Sequence, residues 1–188
     1  NTPLEETMGA LAQAVQSGKA LYVGLSNYDG PTLTKATAIL AELHVPFVIN
    51  QNRYSILDRT IEHNGLKQAV TETGKGLITF SPLAQGRLTD RYLHGIPADS
   101  RVRTDGRFLK ESDLSPEVIA KISALNDLAA QRGQTLAEMA LAWLLAQPEV
   151  TSVLIGASRA DQILDNIQAA KNLTFTADEL AEIDRISQ

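Results

Sequence analysis

Apolar positions along this chain recur in two alternating rhythms. Leu4, Met8, Leu11, Ala12 and Val15 fall at helical spacing, and Gly18 stops the run. Thr2 is expected to cap this helix, with Pro3 at the first helical position and Glu5 completing a capping box. A short apolar run over 20–25 then predicts a buried strand ending in the polar pair Ser26 and Asn27. The alternation repeats with a helix over 31–43, entered through Asp29, Gly30 and Pro31, and a strand over 45–50 that ends in Gln51 and Asn52. A helix over about 61–72, closed near Gly74, and a strand over 76–80 follow. The segment 81–114 breaks the rhythm, being long, polar and dotted with Gly, Pro and Arg. Ser115 and Pro116 open a helix to about Gln131, and Thr135 with Glu138 caps another to Ala146. A strand over 150–155 and helices near 159–170 and 177–186 complete the pattern, the last one boxed by Thr176 and Glu179.

Short apolar strands separated by helices predict an α/β fold with a parallel sheet covered on both faces. Two architectures satisfy this, a doubly wound open sheet and a (β/α)8 barrel. No GxGxxG follows any strand, which weighs against a dinucleotide-binding open sheet. Four strands are half of a closed eight-stranded barrel. No linker divides the chain, so residues 1–188 read as a single, partial domain. The chain opens directly into a helix and without Met, so it is expected to be a piece of a longer protein.

Composition then narrows the chemistry. With 17 Lys and Arg against 22 Asp and Glu the net charge is −5, a poor match to nucleic acid or an anionic membrane. The chain has no cysteine, which excludes disulfides and thiol catalysis, and His44, His63 and His94 are too scattered for a metal cluster. No metal site is expected. No apolar run approaches the roughly 20 residues that cross a bilayer, and no signal peptide is seen, so a cytoplasmic location is expected.

In either architecture function collects at the carboxyl ends of the strands. Those ends carry Ser26 and Asn27; Gln51, Asn52, Arg53 and Tyr54; Ser81 to Gly86; and Gly156 to Arg159. None is a carboxylate, histidine or lysine placed for proton transfer. Hydroxyls and amides of this kind can pair with a nicotinamide carboxamide, or they can simply cap the helix that follows. The Gly156-Ala157-Ser158-Arg159 step leads into a helix, whose free N–H groups and positive end make a phosphate site, with a tight, capped left-handed turn as the alternative. Gln162 and Asn166 lie on one face of that helix. Six basic residues between Arg87 and Lys110 stand against three aspartates, giving either a clamp for a polyanionic cofactor or a solvated loop.

Taken together, these residues resemble the aldo-keto reductase family over essentially the whole chain. The resemblance is carried by Thr2 to Glu6, Gly18 to Asn27, Ser81 to Gly86, and Gly156 to Gln162 with Asn166. Gly95-Ile96-Pro97 with Ser100 and Arg101, and the run 153–158, are most similar to the branch holding bacterial L-glyceraldehyde 3-phosphate reductases and potassium-channel β subunits.

The resemblance implies the C-terminal half of a (β/α)8 TIM barrel that reduces small aldehydes or ketones with NADPH. A phosphorylated triose or a methylglyoxal-like carbonyl is the substrate that the branch implies. Ser26, Asn27 and Gln51 would hold the nicotinamide carboxamide, and Phe80 would stack on its ring. Ser81, Leu83, Gln85 and Gly86 would line the pyrophosphate and ribose within a cofactor loop of about 81–114. Arg91 and Arg101 match basic positions near the adenosine phosphates. Gly156, Ser158, Arg159, Gln162 and Asn166 would bind the adenosine end, with Arg159 on a 2′-phosphate and Asp165 near the adenine. The family's catalytic Asp, Tyr, Lys and His come from its first four strands and match nothing here, so no catalytic residue is assigned and the chain alone is expected to be inactive. An NADP(H)-binding regulatory subunit and an inactive half-barrel are the alternative expectations. The partner expected is a small carbonyl substrate, with homo-oligomers following from the branch.

Overall fold

The computed structural model describes residues 2–188, with the side chain of Arg101 outside that description. In chain order the elements are α1 (Leu4–Gln16), β1 (Val23–Ser26), α2 (Gly30–Glu42), β2 (Phe47–Arg53), α3 (Thr60–His63), α4 (Leu66–Thr73), β3 (Gly76–Phe80), α5 (Arg101–Thr104), α6 (Pro116–Gln131), α7 (Leu136–Leu145), β4 (Val150–Val153), α8 (Ala160–Ile167) and α9 (Ala177–Ser187). The strands lie in the order β1-β2-β3-β4 and each neighbouring pair is parallel. A helical crossover between parallel neighbours dictates that order, and it brings all four carboxyl ends to one edge. It is the arrangement of four consecutive units of a β/α barrel.

The two faces of the sheet differ. Side chains alternate along a strand, and Cα-paired residues of parallel strands share a face. One face presents Leu25, Asn50 and Leu77 in register, then Asn52 and Thr79, and all five are buried. Leu25 and Leu77 join a core with Leu33 and Leu40 of α2, Leu66 and Val70 of α4, and Met139 and Trp143 of α7. Helix α7 is buried almost all round, as its unbroken apolar sequence requires. The other face presents Gly24, Ser26, Ile49, Gln51, Arg53, Ile78, Phe80 and Ser152, none of them buried. The expected sheet covered on both faces is therefore corrected: helices cover one face and the other is open. The sequence concealed this because Ile49, Ile78 and Phe80 extend the apolar runs on the open side.

Several boundaries shift for local reasons. Thr2 does not cap α1: Pro3 is the N-cap, with extended ψ of 145°, and no side-chain cap bond forms there among the described residues. Helical geometry begins at Leu4, one residue too late for the Thr2 oxygen to reach an orphan amide. Leu21 is 81% exposed, so β1 starts only at Val23. Strand β2 runs on to Arg53 because pairing with β3 continues through Asn52 with Thr79 and Arg53 with Phe80. The helix expected over 61–72 is two, α3 and α4, broken where Gly65 takes φ of +77°. At the C-terminal end, β4 stops at Val153, and α8 gives way after Ile167 to a 3-10 turn over Gln168–Lys171.

The capping boxes at Thr135 and Thr176 form as expected, each threonine oxygen accepting the N3 amide while the glutamate accepts the threonine N–H. Asp29 and Ser115 likewise cap α2 and α6. The last helix is fastened through Arg132, whose side chain is 3% exposed. That guanidinium pairs with Glu179 at 2.5 Å, donates to Gln134 and to the Thr174 carbonyl, and lies 3.7 Å from the Phe175 ring centre.

Candidate functional site

The open face and the four strand ends meet at one edge of the sheet, and most of the anticipated residues stand there. Ser26 ends β1 and Gln51 is its Cα partner on β2. The Ser26 hydroxyl donates to the Gln51 carbonyl at 3.0 Å, and the Asn27 amide donates to the same oxygen at 2.9 Å. Asn27 takes φ of 61°, a left-handed bend that asparagine tolerates better than most residues and that turns the chain off the strand. The side-chain amides of Asn27 and Gln51 bond to no other described residue, which leaves two donors and an acceptor on each.

Phe80 closes β3, half-buried on the open face. Ser81 then takes φ of 54°, and the turn continues through left-handed Ala84, Gln85 and Gly86. Gln85 donates from its amide to the Ser81 hydroxyl at 3.1 Å, tying the turn back to the strand end. Leu83 packs against both core clusters, and its carbonyl accepts the Gly86 and Leu88 amides. Three consecutive non-glycine or glycine residues at positive φ mark a backbone held in an uncommon shape by its surroundings.

After β4, Gly156, Ser158 and Arg159 lie exposed in the turn before α8. Gln162 reaches back so that its carbonyl oxygen accepts both the Ser158 amide at 2.8 Å and the Ser158 hydroxyl at 3.2 Å. The expectation of entirely free amides at this helix start is corrected accordingly, since one is already occupied. Arg159 caps α8 in extended conformation, and its guanidinium has no partner among the described residues. Asn166 is half-buried and Asp165 exposed further along α8.

The basic loop is less open than its composition implied. Arg91 pairs with Asp99 at 3.0 Å and donates to the Asp99 carbonyl, Arg103 pairs with Glu111, and Arg107 with Asp105. These arginines are held by acids of their own segment rather than standing as a bare clamp. Arg101 begins α5, and the reading of its side chain lies outside the described residues.

Two supports escaped the sequence reading. Asn52 points to the buried face, where its amide donates to the Tyr28 carbonyl at 3.2 Å and its oxygen accepts from Asn50. It thereby anchors the turn that carries Asn27. The signal was a pair of asparagines at alternate positions in a strand, the spacing of an inward-facing polar ladder. Tyr54 is fully buried, and its phenol donates to Glu62. Burial above all, and then that bond to Glu62, push its pKa well above the usual phenol range, and the buried hydroxyl is committed to Glu62 rather than turned to the open edge. No group of three or more His, Cys, Asp or Glu fit for a metal exists among the described residues, and no described helix is long and apolar enough to cross a membrane.

Comparison with known proteins agrees with this geometry. The chain is 50% identical over 190 residues to the L-glyceraldehyde 3-phosphate reductase of Escherichia coli K12, covering 98% of the chain and 54% of that protein. It is 32% identical over 184 residues to a probable voltage-gated potassium channel subunit beta of Oryza sativa subsp. japonica, covering 96% of the chain and 56% of the relative. A crystal structure of a thermostable aldo-keto reductase, in complex with the inhibitor epalrestat, superposes with a TM-score of 0.70 at 28% identity. That match covers 98% of the chain and 55% of the solved structure. The chain thus spans about half the length of the relatives it matches. The sequence model of the Aldo/keto reductase family matches residues 1–188. With the whole chain matched and four parallel β/α units in barrel order, the protein belongs to the aldo/keto reductase family.

Proposed function

We propose that the intact protein reduces small aldehydes or ketones with NADPH, and that this chain furnishes the cofactor-binding half of the barrel. The observation that carries the reading is the edge where Ser26, Asn27, Gln51 and Phe80 meet on the open face. Two side-chain amides there have no partner among the described residues, beside a half-buried aromatic ring. An amide ligand with donors and an acceptor suits unspent amides, and a flat heteroaromatic ring suits the Phe80 side chain. The donor set therefore fits a nicotinamide.

Asn27 and Gln51 orient the carboxamide, while Ser26 fixes the carbonyl of Gln51 and so the position of that side chain. Ser81, Leu83, Gln85 and Gly86 line the pyrophosphate and ribose on a turn whose left-handed backbone is tied down by Gln85. Gly156, Ser158, Arg159, Gln162 and Asn166 take the adenosine end, with Asp165 and the loop arginines Arg91 and Arg101 at its margin. When bound, the nicotinamide supplies the hydride for the carbonyl carbon. The proton for the oxygen is assigned to no residue of this chain, since Tyr54 is buried and committed to Glu62. The name of the relative at 50% identity supports a phosphorylated triose as one substrate.

The potassium-channel relative favours a second reading, in which the same edge binds NADP(H) in a regulatory subunit. An assay of the intact protein with NADPH and 4-nitrobenzaldehyde separates the two. Turnover above a buffer blank is expected, with none from the 188-residue chain alone. Tight NADPH binding without turnover by the intact protein would instead favour the regulatory reading.

A further inference from the structure

Arg53 is the last residue of β2 and the Cα partner of Phe80 on the open face. Its side chain is 50% exposed, and its one carboxylate neighbour among the described residues, Asp58, stands 3.9 Å away, beyond hydrogen-bond reach. Asp58 is held in place by Thr60, whose amide and hydroxyl both donate to its Oδ1, while the Oδ2 that faces Arg53 stays 3.9 Å off. Among the described residues, six other arginines hold a carboxylate at 3.2 Å or less. Arg53 is thus a permanently charged fork with unused donors, one strand from the ring proposed to stack on nicotinamide. A guanidinium so placed is geometrically suited to paired anionic oxygens.

We infer that Arg53 recognises anionic oxygens, a carboxylate or phosphate, at the open end of the sheet, held there loosely by Asp58. This rests on the reductase reading of the same edge. The anion has two sources, a charged group on the carbonyl substrate or the diphosphate of the cofactor. An ion pair at a half-exposed site is screened by water, so the effect to expect is about tenfold rather than a thousandfold.

The test uses the intact protein as wild type, Arg53→Gln and Arg53→Lys. One arm measures the ratio of kcat/KM for 4-carboxybenzaldehyde to that for 4-nitrobenzaldehyde. The other measures the dissociation constant of NADPH by fluorescence titration without substrate. A tenfold fall of the ratio in Arg53→Gln, partly restored in Arg53→Lys, identifies the substrate as the source. A tenfold weakening of NADPH with an unchanged ratio identifies the cofactor. If Arg53→Gln changes neither quantity, or lowers kcat/KM for both aldehydes alike with NADPH binding intact, the inference is overturned. Failure of the reductase reading is a separate result, seen when the wild type reduces neither aldehyde, and it removes this inference as well.

Discussion

The Ser26 hydroxyl donates to the backbone carbonyl of Gln51 at 3.0 Å, joining the tips of β1 and β2 at the edge where both residues face the open side. The Asn27 amide donates to that same oxygen, so one carbonyl fixes three residues of the proposed carboxamide site. A neutral, exposed hydrogen bond contributes roughly 0.5–1 kcal/mol, too little to decide folding but enough to blur a binding edge. Ser26→Ala in the intact protein is expected to raise the NADPH dissociation constant about two- to fivefold. Its melting temperature should shift by no more than a few degrees. An unaltered dissociation constant counts against the role given to this edge.

Gly30 opens α2 against the backbone of Gly65 at the break between α3 and α4. A Cβ on Gly30 would lie 2.3 Å from the Gly65 carbonyl oxygen, and the obstacle is backbone rather than a movable side chain. The Gly30 amide also donates to the Asn64 carbonyl at 3.1 Å. Gly30→Ala therefore forces α2 and α4 apart, an overpacking cost of about 1–3 kcal/mol. Denaturant unfolding should show a lower midpoint. A variant as stable as wild type would mean that the two segments separate freely.

Arg132 and Glu179 link the turn after α6 to α9, and the carboxyl of Glu179 titrates below its usual value of 4.5. Partial burial raises that pKa, but the bond from the Thr176 amide and the pairing with Arg132 outweigh it. A carboxyl depressed in the folded state adds stability that is complete above about pH 4.5 and is lost as the pH falls through the folded value. Thermal unfolding of wild type between pH 6 and pH 3 should therefore show part of its acid loss missing from Glu179→Gln, which starts lower at pH 6 and falls less. Arg132→Ala, which leaves Phe175, Gln134 and the Thr174 carbonyl without their shared partner, should be more damaging, by about 3 kcal/mol or more. Parallel pH profiles for wild type and Glu179→Gln would contradict this assignment.

Strands and helices were legible because their signals are local: Pro116 behind Ser115, and threonine with glutamate three residues on at Thr135 and Thr176. Faces were not. Ile49, Ile78 and Phe80 read as parts of buried runs, yet pairing sets them on the open side, and what a sheet face meets is decided by chain distant in sequence. The candidate site was legible as a set of strand ends, since topology alone gathers Ser26, Gln51, Phe80 and Gly156 at one edge. Its electrostatics were not: Asp99 and Asp105 entered the sequence reading only as a charge count, and the fold alone shows that they and Glu111 pair with Arg91, Arg107 and Arg103. Asn52 was taken for a strand end when it is a buried brace, and Arg53, though placed at a strand end, received no role because its position beside Phe80 exists only once register is known.

The central claim, that this chain supplies an NADP(H) site, is tested most directly at Arg159. Its guanidinium stands exposed at the start of α8 without a partner among the described residues. A 2′-phosphate carries between one and two charges near neutral pH where NADH has only a hydroxyl. A charge-assisted contact to it is worth roughly 1.5–3 kcal/mol, or about 10- to 100-fold in affinity. The measurement is the ratio of NADH to NADPH dissociation constants for the intact protein and for Arg159→Ala. A ratio well above one in the wild type that falls about 10- to 100-fold in the variant is the predicted result. A ratio that the substitution leaves unchanged would contradict the account.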